Sequence, residues 1–156
     1  MSDLERAVAF YRDVLGFRVR QRFGSEAAFL ASDDYHHHIG LNTWESRGGS
    51  PPPAGSTGLY HFAILYPTRS ALALAVERVL ALGVPLLGAA DHGVSEAVYL
   101  EDPDRNGIEL YWDRPRELWP RARDGDGVAM YTRPLDLASL LAEARPRGQS
   151  DSRAER

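Results

Sequence analysis

The sequence predicts an α+β fold of paired βαβββ-type modules, the first module lacking its opening strand. Three observations point there. Runs with helical and strand periodicity follow the order helix, three strands, then strand, helix, three strands. Leu15-Gly16-Phe17 and Leu82-Gly83-Val84 close the two helical runs at an internal offset of about 67 residues, which makes the halves copies of one supersecondary unit. A chain of 156 residues with 44% hydrophobic content can bury one sizeable core and is too short for two independent ones.

Ser2 followed by Glu5 reads as a capping box, and Leu4, Ala7, Val8, Tyr11, Val14 and Leu15 recur at helical spacing until Gly16, a helix of about 13 residues. Phe17 to Phe23 alternates apolar with polar residues, and Ala27 to Ala31 and Ile39 to Trp44 form two more short strands. The stretch from Ser46 to Gly55, rich in Gly, Ser and Pro, suits an exposed connection. The second module opens with a strand from Leu59 to Leu65 and a helix from about Ser70 to Leu82, ended by Gly83. Strands follow at Val84 to Leu87, Ala97 to Leu100 and Ile108 to Trp112. The last two are joined through Asn106-Gly107, a pair that favours a tight hairpin. Applied to His61, the internal offset falls about six residues before Met1, so the opening strand of the first copy is expected to be missing. That leaves an open sheet edge unless another segment or chain fills it.

The expected organisation is one domain over residues 1–119, with modules at about 1–45 and 58–113. A loop and a short helix capped by Asp136 occupy 120–144, and residues 145–156 read as a disordered tail.

Composition narrows the function. The net charge of −4 arises from interspersed acids and arginines without a basic stripe, so nucleic acid is not an expected partner. No signal-like or membrane-length apolar run is present, and a cytoplasmic protein is expected. With no cysteine in the chain, any metal must be held by nitrogen and oxygen donors.

His61 and Glu109 each sit inside an apolar strand, where a polar group needs a partner if its face is buried. A divalent metal shared by an imidazole and a carboxylate would satisfy both. A hydrogen-bonded core histidine and an edge-facing glutamate are the alternative. His92 precedes a strand by a few residues and Tyr99 follows it by seven, which equally suits a loop histidine and strand packing. In His36-His37-His38, alternation places His36, His38, Gly40 and Asn42 on one face. Parity also suggests Phe62, Asn42, Trp44 and Tyr111 as pocket-lining side chains.

The pattern of His61, His92, Val98-Tyr99, Asp102-Pro103 and Asn106-Gly107-Ile108-Glu109-Leu110-Tyr111 resembles the vicinal oxygen chelate superfamily of glyoxalases, bleomycin-resistance proteins and dioxygenases. It is most similar to the signature of the extradiol ring-cleavage, or catechol 2,3-, dioxygenases. The opening from Ser2 to Phe17 resembles the phrase after the first strand in that superfamily, and the likeness covers about residues 2–119. Arg105 stands where the signature usually has Gly or Pro.

The resemblance implies a divalent metal, Fe(II) foremost with Mn, Zn or Ni as the others, held by two histidines and one glutamate. Carried over by residue, His61 and Glu109 would be ligands, and no residue here matches the remaining histidine. His38 is the candidate substitute from the first module. His92 would be the acid/base beside the metal and Tyr99 would hydrogen-bond the substrate. The implied partners are a small catechol-like aromatic, dioxygen and a second copy in a homodimer. The same fold also hosts glyoxalase-type isomerases or lyases and non-catalytic binding proteins, which stand as the alternative readings.

Overall fold

The computed structural model describes residues 1–123, 125 and 127–144. The tail expected at 145–156 lies outside the described residues. Helix α1 spans Leu4–Ala9 and continues as a π-helical turn over Phe10–Val14. Strands β1 (Arg18–Phe23), β2 (Ala27–Ala31) and β3 (Ile39–Asn42) form an antiparallel sheet in that order. The second sheet has the order β4-β7-β6-β5-β8, with β4 at His61–Leu65, β5 at Gly88–Asp91, β6 at Ser95–Glu101, β7 at Gly107–Asp113 and β8 at Arg133–Pro134. Helix α2 (Arg69–Ala81) follows β4, and α3 (Leu137–Ala142) follows β8.

β4 and β7 pair in parallel, as a strand–helix crossover requires, and the other described pairings are antiparallel. In the first module, β3 pairs with β2 on one side, and no described strand occupies the position beside it that β4 takes beside β7. The expected α+β architecture is thus present, with the opening-strand position of the first module unfilled among the described residues.

One apolar cluster serves both modules, because Leu4, Val8, Tyr11 and Leu30 from the first join Leu72, Val76, Leu100, Ile108 and Leu110 from the second. Alternation along β6 and β7 sends Val98, Leu100, Ile108 and Leu110 to this core and leaves Tyr99, Gly107, Glu109 and Tyr111 on the opposite face.

Several local expectations need correction. The cap of α1 is Asp3, whose carboxylate accepts from the Arg6 amide, while Ser2 binds the Asp104 carboxylate instead. The strand after α2 lies at Gly88–Asp91 and not at Val84–Leu87. The Val84 amide is spent closing α2 on the Val79 carbonyl and Pro85 has none to donate, so pairing starts only beyond them. The Asn-Gly pair is not a two-residue hairpin turn. Asp102 instead accepts from the amides of Asp104 and Asn106 and the Asn106 side chain, and Arg105 takes the left-handed conformation at φ 64°. β8 was not expected, since a two-residue strand containing Pro carries no periodicity. Phe62 points to the core side, where its ring lies 6.4 Å from that of Tyr11.

Candidate functional site

The register of the second sheet assembles the site. Ala63 on β4 is the partner of Glu109 on β7, Glu109 the partner of Tyr99 on β6, and Tyr99 the partner of Gly88 on β5. His61 lies two register pairs along, opposite Gly107 and on the same face. These residues share the face turned away from the core, and the small side chains among them leave a cavity of about 430 Å³. Its lining includes His61, His92, Tyr99, Thr132 and the apolar Leu87 and Ala90.

Gly107 is needed for the close approach of β4. A Cβ there would lie 2.2 Å from the Tyr60 carbonyl oxygen and 3.0 Å from the His61 Cβ. With hydrogen in its place, His61 Nε2 comes to 3.1 Å from Glu109 Oε2. The other imidazole nitrogen, Nδ1, is buried without a hydrogen-bond partner.

A continuous polar line runs on from Glu109. The Tyr99 hydroxyl lies 3.1 Å from Glu109 Oε1 and 2.8 Å from His92 Nε2, and His92 Nδ1 lies 3.2 Å from the Tyr131 carbonyl oxygen. Burial first, and then the neighbouring Glu109 charge, pushes the Tyr99 hydroxyl up to about 12, so it remains a donor at neutral pH. Its one hydrogen can go to the Glu109 carboxylate, with the His92 imidazole donating to the hydroxyl oxygen, or to His92 Nε2 where that nitrogen is unprotonated.

The turn carrying His92 is braced from below. Asp91 accepts from the Gly93 amide at 2.8 Å and from Arg114, which also reaches Glu96 at 2.8 Å. Glu96 is buried and accepts from Arg69 on α2 as well, so its charge is compensated from two sides. The Arg114 hydrogen bond holds the Asp91 carboxyl below the usual aspartate range, against the opposing effect of burial.

His61, Glu109, Tyr99 and His92 are therefore brought together. His38 is not among them. It lines a separate cleft with Leu15, Phe17, Ile39, Phe62 and Ile64, and its Nδ1 lies 3.4 Å from the Ser32 amide. Among the described residues, no group of three or more His, Asp or Glu side chains is placed to hold a metal. Sequence reasoning missed Gly107 as a spacer, Thr132 and the Tyr131 carbonyl. Strand parity beside His61 could have flagged the glycine, whereas nothing local marks the other two.

A profile of the Glyoxalase/Bleomycin resistance protein/Dioxygenase superfamily matches residues 1–110. The chain belongs to this superfamily. Among its members, the catechol-2,3-dioxygenase of Bacillus subtilis (strain 168) is 44% identical over 145 residues, covering 92% of this chain and 49% of that protein. Biphenyl-2,3-diol 1,2-dioxygenase 3 of Rhodococcus globerulus is 29% identical over 164 residues, covering 98% of this chain and 84% of that protein. The chain thus spans about half the length of the first relative. Of solved structures, lactoylglutathione lyase from Agrobacterium tumefaciens superposes with a TM-score of 0.54 at 25% identity, covering 71% of this chain and 86% of that one. The superfamily fold agrees with the paired modules described above.

Proposed function

We propose that the chain contributes to extradiol ring cleavage of a catechol-like aromatic, with His61 and Glu109 as two ligands of a divalent metal, Fe(II) foremost. The observation that carries this reading is the 3.1 Å approach of His61 Nε2 to Glu109 Oε2 at the cavity wall. Two cis donors each about 2.1 Å from one ion stand about 3 Å apart, so the pair fits one metal. Nitrogen and carboxylate donors suit Fe(II), Mn and Zn alike. Both named dioxygenase relatives and the His92–Tyr99 pair favour the ring-cleavage reading over the isomerase or lyase one. His38, in its separate cleft, is not part of the proposed ligand set.

The chemistry that a bound Fe(II) supplies is side-by-side binding of catecholate and dioxygen, with electrons passed between them. The chain's own groups do the rest. His92 takes a catechol hydroxyl proton on Nε2, and the Tyr99 hydroxyl donates to a substrate oxygen. Leu87 and Ala90 give the ring apolar contact in the cavity. A cytoplasmic homodimer belongs to the same reading. No described helix is long and apolar enough to cross a membrane, and the open β3 edge offers a surface for a second copy.

The test is iron content after anaerobic Fe(II) loading of the chain and of His61→Ala and Glu109→Ala, followed by oxygen uptake with catechol. Near-stoichiometric iron, lost in both variants, and catechol-dependent uptake are expected. A parent chain that retains no iron would overturn the enzymatic reading.

A further inference from the structure

Beyond the residues of the ring-cleavage signature, a separate segment of the chain touches His92. After the short 3₁₀ turn at Arg116–Leu118, the backbone folds on itself, with Ala129 donating to the Pro120 carbonyl and Arg121 bridged to Val128. It then crosses the end of β5 as a strap, and its last residues pair as β8 with Ala90 and Asp91.

The strap meets His92 at three points. The Tyr131 amide donates to the His92 carbonyl at 3.3 Å, the Tyr131 carbonyl lies 3.2 Å from His92 Nδ1, and the Thr132 hydroxyl lies 3.3 Å from the same nitrogen. Close packing seats it there. A Cβ on Gly93 would lie 2.6 Å from the Tyr131 ring and 3.0 Å from Pro120, and the Arg133 guanidinium stacks 4.3 Å from the centre of that ring. Gly93 also needs its freedom at φ 79° to turn the chain under the strap.

We propose that this strap is a positioning element that sets the tautomer of His92. A carbonyl oxygen can only accept a hydrogen bond, so the Tyr131 carbonyl favours a proton on Nδ1. Nε2 is then left with its lone pair facing Tyr99, 2.8 Å away, and opening on the cavity. The Thr132 hydroxyl can accept from an Nδ1–H or donate to a bare Nδ1, so it does not decide the tautomer. Tyr131 and Thr132 act through His92 and are positioning residues. The functional meaning of the tautomer rests on the acid/base role given to His92 above, because a base at Nε2 requires that nitrogen to be unprotonated.

The experiment reads the tautomer directly in the metal-free chain. Long-range proton–nitrogen correlation spectra of the full ¹⁵N-labelled protein at neutral pH report each imidazole, and His92→Gln assigns the signal. The parent should show a pyrrole-type Nδ1 and a pyridine-type Nε2. Tyr131→Gly, which removes the ring seated on Gly93, should shift the tautomer ratio towards protonated Nε2 by about five-fold, the worth of one net hydrogen bond. Thr132→Val should keep the parent pattern. A parent spectrum with the proton on Nε2 overturns the proposal, and so does a folded Tyr131→Gly protein with an unchanged His92 signal. The parent spectrum decides alone if that variant does not fold. Iron loading is a separate measurement, so loss of the ring-cleavage reading and loss of the strap proposal are told apart.

Discussion

Replacing Gly107 with alanine should both destabilise the protein and separate the two proposed metal ligands. In a strand, exchanging glycine for alanine normally stabilises by about 0.4–1 kcal/mol, because the unfolded chain loses freedom. Here the added carbon would sit 2.2 Å from the Tyr60 carbonyl oxygen and 3.2 Å from the His61 Cα, both on the neighbouring backbone. Neither can rotate away, so β4 must move off β7 by about 1 Å to restore a normal contact, an overpacking that costs about 2 kcal/mol. For a chain of this size each kcal/mol shifts Tm by about 2–4 °C, so a fall of about 4–8 °C is expected. Gly88→Ala is the internal control, since its Cβ would meet only the Tyr99 ring at 4.0 Å, an ordinary contact. Thermal unfolding followed by circular dichroism measures both, and the iron content of Gly107→Ala should fall along with its Tm. A Gly107→Ala protein as stable as the parent, or a Gly88→Ala protein equally damaged, would refute the close-approach explanation.

Two more outcomes follow from the backbone and the charges. Arg105 holds φ at 64° in the β6–β7 connection, so Arg105→Gly should stabilise by about 0.5–1 kcal/mol, seen as a raised urea midpoint with an unchanged slope. The folded-state pKa of Asp91 is held low by Arg114, so its contribution to stability is in place above the unfolded aspartate value and is lost as pH falls through the lower folded value. Asp91→Asn should therefore lower Tm at neutral pH, by about 2 kcal/mol of stability, and the gap to the parent should close in acid below the usual aspartate range.

The helices were legible from one-sided, periodic burial, and strands such as the first module's Ala27–Ala31 from short apolar runs bounded by turn residues. Ala27–Ala31 and Arg69–Ala81 lie within a residue of their expected bounds, since Leu72, Val76 and Val79 recur on one face and Thr68 caps the second helix. β5 was not legible. Gly88-Ala89-Ala90-Asp91 has low strand propensity and is held by its neighbours on both sides, whereas Val84-Pro85-Leu86-Leu87 has the composition of a strand but starts with a spent amide at Val84 and none at Pro85. The same distinction separates the residues of the candidate site. His61 and Glu109 stood out because polar side chains interrupt apolar strands, and His92 and Tyr99 because their spacing resembles that of a known family. His38 stood out as well, but the position of β3 sends it to a different cleft.

The sequence by itself determined the α+β class, the internal duplication, and two polar residues, His61 and Glu109, in need of partners, and its resemblance to a known family singled out His92 and Tyr99. The first three are properties of periodicity, composition and spacing, and the resemblance lies in a short signature along the chain. Only the tertiary structure decided that His61 comes within 3.1 Å of Glu109, that Tyr99 links Glu109 to His92, and that a strap from residues 129–134 reaches the far side of the His92 ring. Those contacts join elements up to 48 residues apart, as between His61 and Glu109. They depend on strand register and on which backbone or ring approaches Gly107 and Gly93, which no local pattern along the chain encodes.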